Sequence, residues 1–113
     1  METKVTIKKE KFIEFVLKGN IVILTYEPKE MSEMFYTAKQ TTTKLNKNMT
    51  YDEIVAKLIH TRYSNDAELS LINNAISDLS SIADNNEYLE YQSWRAKCKE
   101  VAKNYINGNE EAK

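Results

Sequence analysis

His60 and Cys98 are the only histidine and the only cysteine of this 113-residue chain, so a thiol nucleophile with an imidazole base has one pair from which to form. The surroundings oppose it. Cys98 belongs to the series Tyr91, Trp94, Cys98, Val101 and Tyr105, whose spacing alternates between three and four and so places all five on one helix face. A thiol on an apolar seam has a raised pKa and stays inert. His60 falls near the end of an expected helix, where a cation suits the dipole, and a lone histidine cannot supply the usual zinc clusters. The carboxylate pairs Asp52 with Glu53 and Asp66 with Glu68 resemble acid-base or metal pairs, yet each lies in a first helical turn, where capping accounts for acids. Gly19 and Gly108 are the only glycines and form no phosphate-cradling loop. The expectation is a protein that is not an enzyme, with no catalytic residue, no metal site and no cofactor.

Binding chemistry is better represented. Seven tyrosines and one tryptophan are side chains with an apolar body and a polar handle, the kind enriched at protein interfaces. Beside the seam, Tyr88, Gln92, Arg95 and Lys99 recur at helical spacing on an outward flank and form the candidate interaction surface. Lysines 8, 9, 11 and 18 support a different reading. Residues 1–50 hold nine lysines against six acids, whereas residues 51–113 hold seven bases against eleven acids. A nucleic-acid-associated regulator using the Lys-rich N-terminal half is thus the alternative, with phosphate contacts and stacked aromatics. The overall net charge of -1 and a pI near 5.9 weigh against nucleic acid as the partner. A protein partner or self-association is the expectation. No apolar run spans a bilayer, so no membrane association is expected, and a single cysteine on a core face fits a reducing interior.

The elements that must position these groups are legible in outline. Lys4 to Lys8 alternates polar and apolar residues, the period of a half-buried strand. Phe12 to Leu17 and Ile21 to Glu27 flank Lys18-Gly19-Asn20, which reads as a hairpin with Gly19 and Asn20 in the loop. That turn pairs Lys18 with Ile21, Leu17 with Val22, Phe15 with Leu24 and Ile13 with Tyr26, making one face apolar. Pro28 is expected to end the strand. Met31, Met34, Phe35, Ala38, Thr42 and Leu45 then fall at helical spacing, although Thr41-Thr42-Thr43 is a poor helix interior.

Thr50-Tyr51-Asp52-Glu53 is a capping box with Met49 and Ile54 placed for a hydrophobic staple. Asn65-Asp66-Ala67-Glu68, preceded by Ser64, offers a second capping box and opens a helix with Leu69, Ile72, Ala75, Ile76, Leu79 and Ala83 on one side. The last helix begins near Glu87, and Gly108 stands where a C-terminal cap is expected. The fold class that follows is α+β: an N-terminal antiparallel hairpin or three-stranded meander, about 4–27, packed against three or four helices, about 31–45, 51–62, 66–83 and 87–107. Residues 1–108 read as a single α+β domain and 109–113 as a disordered tail.

Arg62-Tyr63-Ser64-Asn65-Asp66 through Glu68, then Leu71-Ile72-Asn73-Asn74, then the stretch Tyr88 to Lys99 with Tyr91-Gln92-Ser93-Trp94-Arg95-Ala96-Lys97-Cys98-Lys99 resemble the C-terminal part of small proteins encoded by bacteriophages and prophages. The resemblance covers about a third of the chain. It implies an accessory or virion-assembly role in the cytoplasm of a host cell or in the virion, and it carries no catalytic residues. A non-enzymatic protein-interaction or assembly accessory protein of phage or mobile-element origin is the function expected.

Overall fold

The computed structural model describes residues 2–111, with side chains described through Gly108. The fold is α+β, and it forms two compact units, Met1–Asn48 and Met49–Lys113.

The first unit is a four-stranded antiparallel sheet built from β1 (Glu2–Lys8), β2 (Phe15–Lys18), β3 (Ile21–Glu30) and β4 (Phe35–Lys44), with spatial order β1-β4-β3-β2. The hairpin register is the one its turn dictates: Lys18 pairs with Ile21, Leu17 with Val22 and Phe15 with Leu24. Gly19 takes φ 61°, the left-handed geometry that two-residue hairpin loops require and that glycine adopts without steric cost. Val22, Leu24 and Tyr26 are buried on one face of β3. The expected pair of Ile13 with Tyr26 does not form, because β2 starts only at Phe15 and Ile13 is 60% exposed.

The segment expected as a helix over about 31–45 is instead β4, a central strand. Its apolar residues satisfy a helical spacing in isolation, but Thr37, Thr41, Thr42 and Thr43 are β-branched and prefer a pleated surface. Neighbours on both sides decide the matter. Val5 faces Ala38 and Ile7 faces Tyr36 across β1, while Leu24 faces Thr41 and Val22 faces Thr43 across β3. The first strand therefore pairs with the fourth, and the expected three-stranded arrangement becomes a four-stranded one.

Pro28 does not end β3 either. The strand continues to Glu30 through an irregularity at which Tyr26 pairs with Lys39 and Lys29 with Thr37. That register sets two residues of β3, Glu27 and Pro28, against one of β4, Ala38, a bulge that absorbs the missing proline N–H. Glu27 lies in it at φ 53°, a left-handed conformation uncommon for a residue with a Cβ.

The second unit consists of α1 (Tyr51–Arg62), α2 (Asn65–Ser77) and α3 (Asn86–Glu111). Both halves of the capping box on α1 are present: Glu53 N–H donates to Thr50 Oγ1 at 3.2 Å and Thr50 N–H donates to Glu53 Oε1 at 3.1 Å. On α2, Ser64 Oγ accepts from Ala67 N–H at 3.1 Å, so the cap is single. Helix α2 stops at Ser77 rather than near 83, and a 3-10 stretch, Leu79–Asp84, follows. Local polar bonds compete with the helix there. Ser77 Oγ donates to Asn74 O at 2.9 Å, and Ser80 Oγ donates to Asp78 Oδ1 at 2.8 Å.

Asn85 restarts the chain by accepting from Tyr88 N–H at 3.1 Å. Helix α3 then runs past the expected stop at Gly108, which does not take the positive φ of a C-terminal cap. The expected tail continues the helix as far as Glu111, and residues 112 and 113 lie outside the described residues. Of the seam, Tyr91, Trp94, Cys98 and Tyr105 are buried, while Ala102 takes the inner position in place of the half-buried Val101. The core of this unit unites them with Ile54, Leu58 and Ile59 of α1. No helix among the described residues is long and apolar enough to cross a membrane.

Candidate functional site

The helical unit gathers most of the residues singled out above. Arg62, at the last turn of α1, places its guanidinium 4.6 Å from the centroid of the Trp94 ring and 5.1 Å from that of Tyr63, and it pairs with Glu90. A planar cation over aromatic faces is attracted by the ring quadrupoles, more so when the group is withdrawn from water. Tyr63 meets Tyr91 edge to face at 5.1 Å. The corner at Arg62 and Tyr63 thus holds the first half of α3 through Glu90, Tyr91 and Trp94.

Glu68 is the second junction. Its carboxylate accepts a hydrogen bond from the buried Tyr91 hydroxyl, and its other oxygen lies 3.3 Å from His60 Nε2. Burial raises the Tyr91 pKa, and the neighbouring Glu68 charge raises it further. His60 is exposed and takes its place through Glu68. Cys98, in contrast, is wholly buried, and burial pushes its thiol up to about 12 while the Arg62 charge opposes that rise. Such a thiol stays protonated and has no nucleophilic character at neutral pH.

A cavity of about 500 Å³ opens between α1, α2 and α3, lined by Tyr51, Asp52, Val55, Ala56, Ile59, His60, Asn65, Glu68, Arg95 and Lys99. The flank expected as an interaction surface divides here. Arg95 and Lys99 line the cavity, whereas Tyr88 and Gln92 are bound to each other, the Gln92 amide donating to the Tyr88 hydroxyl at 2.8 Å. Three of the four are half-buried, and only Lys99 is exposed. The carboxylate pairs also separate. Glu53 serves the cap of α1, whose backbone and hydroxyl bonds hold its carboxyl below the usual range. Asp52 lines the cavity and Asp66 is exposed. Among the described residues no group of three His, Cys, Asp or Glu side chains converges on a common point.

The N-terminal lysines do not gather. Lys8 and Lys18 stand on opposite edge strands, β1 and β2, and Lys9 pairs with Glu30 while lying 5.2 Å from the centroid of the Tyr36 ring. Lys39 pairs with Glu27 at 2.8 Å beside the bulge.

Sequence reasoning passed over the joint use of His60 and Glu68 and the stacking of Arg62. A signal was available. A basic last turn, a break at Tyr63 and Ser64, and an acidic first turn bring side chains eight positions apart within reach across a tight helical corner. The apolar side of α2 was also misjudged. It buries Ala75 alone, Leu69 and Ile76 are 58% and 62% exposed, and Leu79, in the 3-10 stretch that follows, is 64% exposed. No protein-family model, no curated protein and no solved structure matches this chain.

Proposed function

We propose that this chain is a non-enzymatic protein-interaction or assembly accessory protein, of phage or mobile-element origin, that acts by associating with a second copy of itself through α2. The observation that carries the reading is the exposed apolar pair Leu69 and Ile76 on α2, with half-buried Ile72 between them and exposed Leu79 just beyond, in the 3-10 stretch. Steps of three and four set Leu69, Ile72 and Ile76 on one ridge of α2, the form in which a helix packs against another helix.

Charge favours an antiparallel copy as the partner. The only charged residues of α2, Asp66 and Glu68, sit at its N-terminal end, and the C-terminal half carries Asn73, Asn74 and Ser77. An antiparallel pair therefore sets acids against uncharged residues and opposes the helix dipoles. The burial of Cys98 supports a non-catalytic role, because it withdraws the one thiol from chemistry. The phage-like stretch from Arg62 to Lys99 supports an accessory role in assembly.

Sedimentation of the full chain over a range of concentrations tests the reading. Self-association is expected, and L69K together with I76K is expected to yield a monomer with unchanged circular dichroism. A wild-type chain that stays monomeric at its highest soluble concentration overturns self-association. Capture of a host or virion protein that those substitutions abolish would transfer the same ridge to a different partner.

A further inference from the structure

We propose that the cavity between α1, α2 and α3 is a binding site for a small oxyanion, a carboxylate or a phosphate group, held by Arg95 and Lys99. The two cations lie one helical turn apart on α3 and line the same wall. Neither forms an ion pair with any described carboxylate, although the unit is rich in acids. The Nε atom of Arg95 is covered and has no hydrogen-bond partner. Its guanidinium lies 5.8 Å from the centroid of the Tyr91 ring, a cation–π placement that restrains the side chain and lowers the entropy lost when an oxyanion is gripped. A half-buried arginine with unused donors is costly to keep in a fold unless an acceptor arrives.

The acids that line the cavity do not cancel this pair. Glu68 already accepts from Tyr91 and lies against His60, so its charge is partly committed to groups of the chain itself. Asp52 is exposed, where water and salt screen it. The opening, at about 500 Å³, admits a small dicarboxylate or phosphate with its hydration. The site does not depend on the self-association reading, since it asks only for an anion and lies on named side chains of one copy.

Amide chemical-shift titration of the full chain tests the proposal, with inorganic phosphate in one arm and succinate in the other, against sodium chloride at matched ionic strength. Shifts confined to residues around Arg95 and Lys99 are expected, and the arm that saturates at lower concentration identifies the class of anion. A charge-assisted hydrogen bond contributes enough that R95Q is expected to weaken binding about tenfold or more. K99Q changes an exposed residue and should weaken binding without touching the fold, which keeps the test decisive if R95Q is destabilised. K103Q, one turn beyond the cavity, serves as the control and should bind as the wild type does. Shifts that are equal with chloride, or that fall as much in K103Q as in K99Q, overturn the proposal.

Discussion

Glu68 joins three helices through one carboxylate, since it belongs to α2, accepts from Tyr91 of α3 and lies against His60 of α1. Removing it leaves the Tyr91 hydroxyl buried without that acceptor, which costs about 1–3 kcal/mol. Glu68→Ala should therefore lower the unfolding free energy from urea titration by that amount, and Tyr91→Phe should largely cancel the loss in a double-mutant cycle. The thiol makes a separate prediction at high pH. The Cys98 pKa rises from 9.0 to about 12 on folding. A raised pKa means a contribution present in full below the unfolded value and lost as pH climbs toward the folded one. The stability advantage of the wild type over Cys98→Ala is thus expected to shrink between those two values, as read from urea unfolding at stepped pH. At neutral pH the native thiol should resist a disulfide reagent, and His60→Ala should leave that resistance unchanged. Rapid labelling of Cys98 in the native wild type, slowed by His60→Ala, would restore the dyad that burial removes.

At the level of elements, what is decided locally was legible and what is decided by distant neighbours was not. The start of α1 at Thr50 follows from four consecutive residues whose side chains bond their own backbone, and the structure contains both bonds. Thr50→Ala should lower stability by about 1 kcal/mol. The hairpin is local in the same sense. Its register follows from Gly19, and Gly19→Ala, with nothing within 4 Å of the new methyl group, should cost about 1 kcal/mol through the left-handed backbone alone. Both losses are measurable as urea midpoints. Strand β4 is the opposite case. Met31, Met34 and Phe35 fit a helical stripe on paper, yet Met31 and Met34 are 60% and 62% exposed, and only pairing with β1 and β3 reveals which period is real. The end of α2 was hidden for a similar reason. Ile76 and Leu79 continue its apolar spacing, while the short bonds made by Ser77, Ser80 and Asp78 stop it. In the candidate site, Arg95 and Lys99 were recognised by spacing on a single helix, and His60 with Glu68 required a corner between two.

For the whole molecule, the two readings of its binding chemistry respond to salt in opposite directions. Contacts between lysines and phosphates release counterions, so an association carried by the N-terminal half must weaken steeply as salt rises. The structure gives that half a poor start, because Lys9 and Lys39 are already paired with Glu30 and Glu27 and Lys8 and Lys18 lie on opposite edges of the sheet. Association through Leu69, Ile72, Ile76 and Leu79 removes apolar surface from water instead, and sulfate strengthens such burial. The dissociation constant of the self-associated form is therefore expected to stay level or tighten as sodium sulfate replaces sodium chloride, measured by sedimentation at fixed pH. The L69K/I76K chain should show no association in either salt. If association falls steadily with rising salt and survives L69K/I76K, the contact is ionic, and the lysines of the sheet unit become the surface to substitute next.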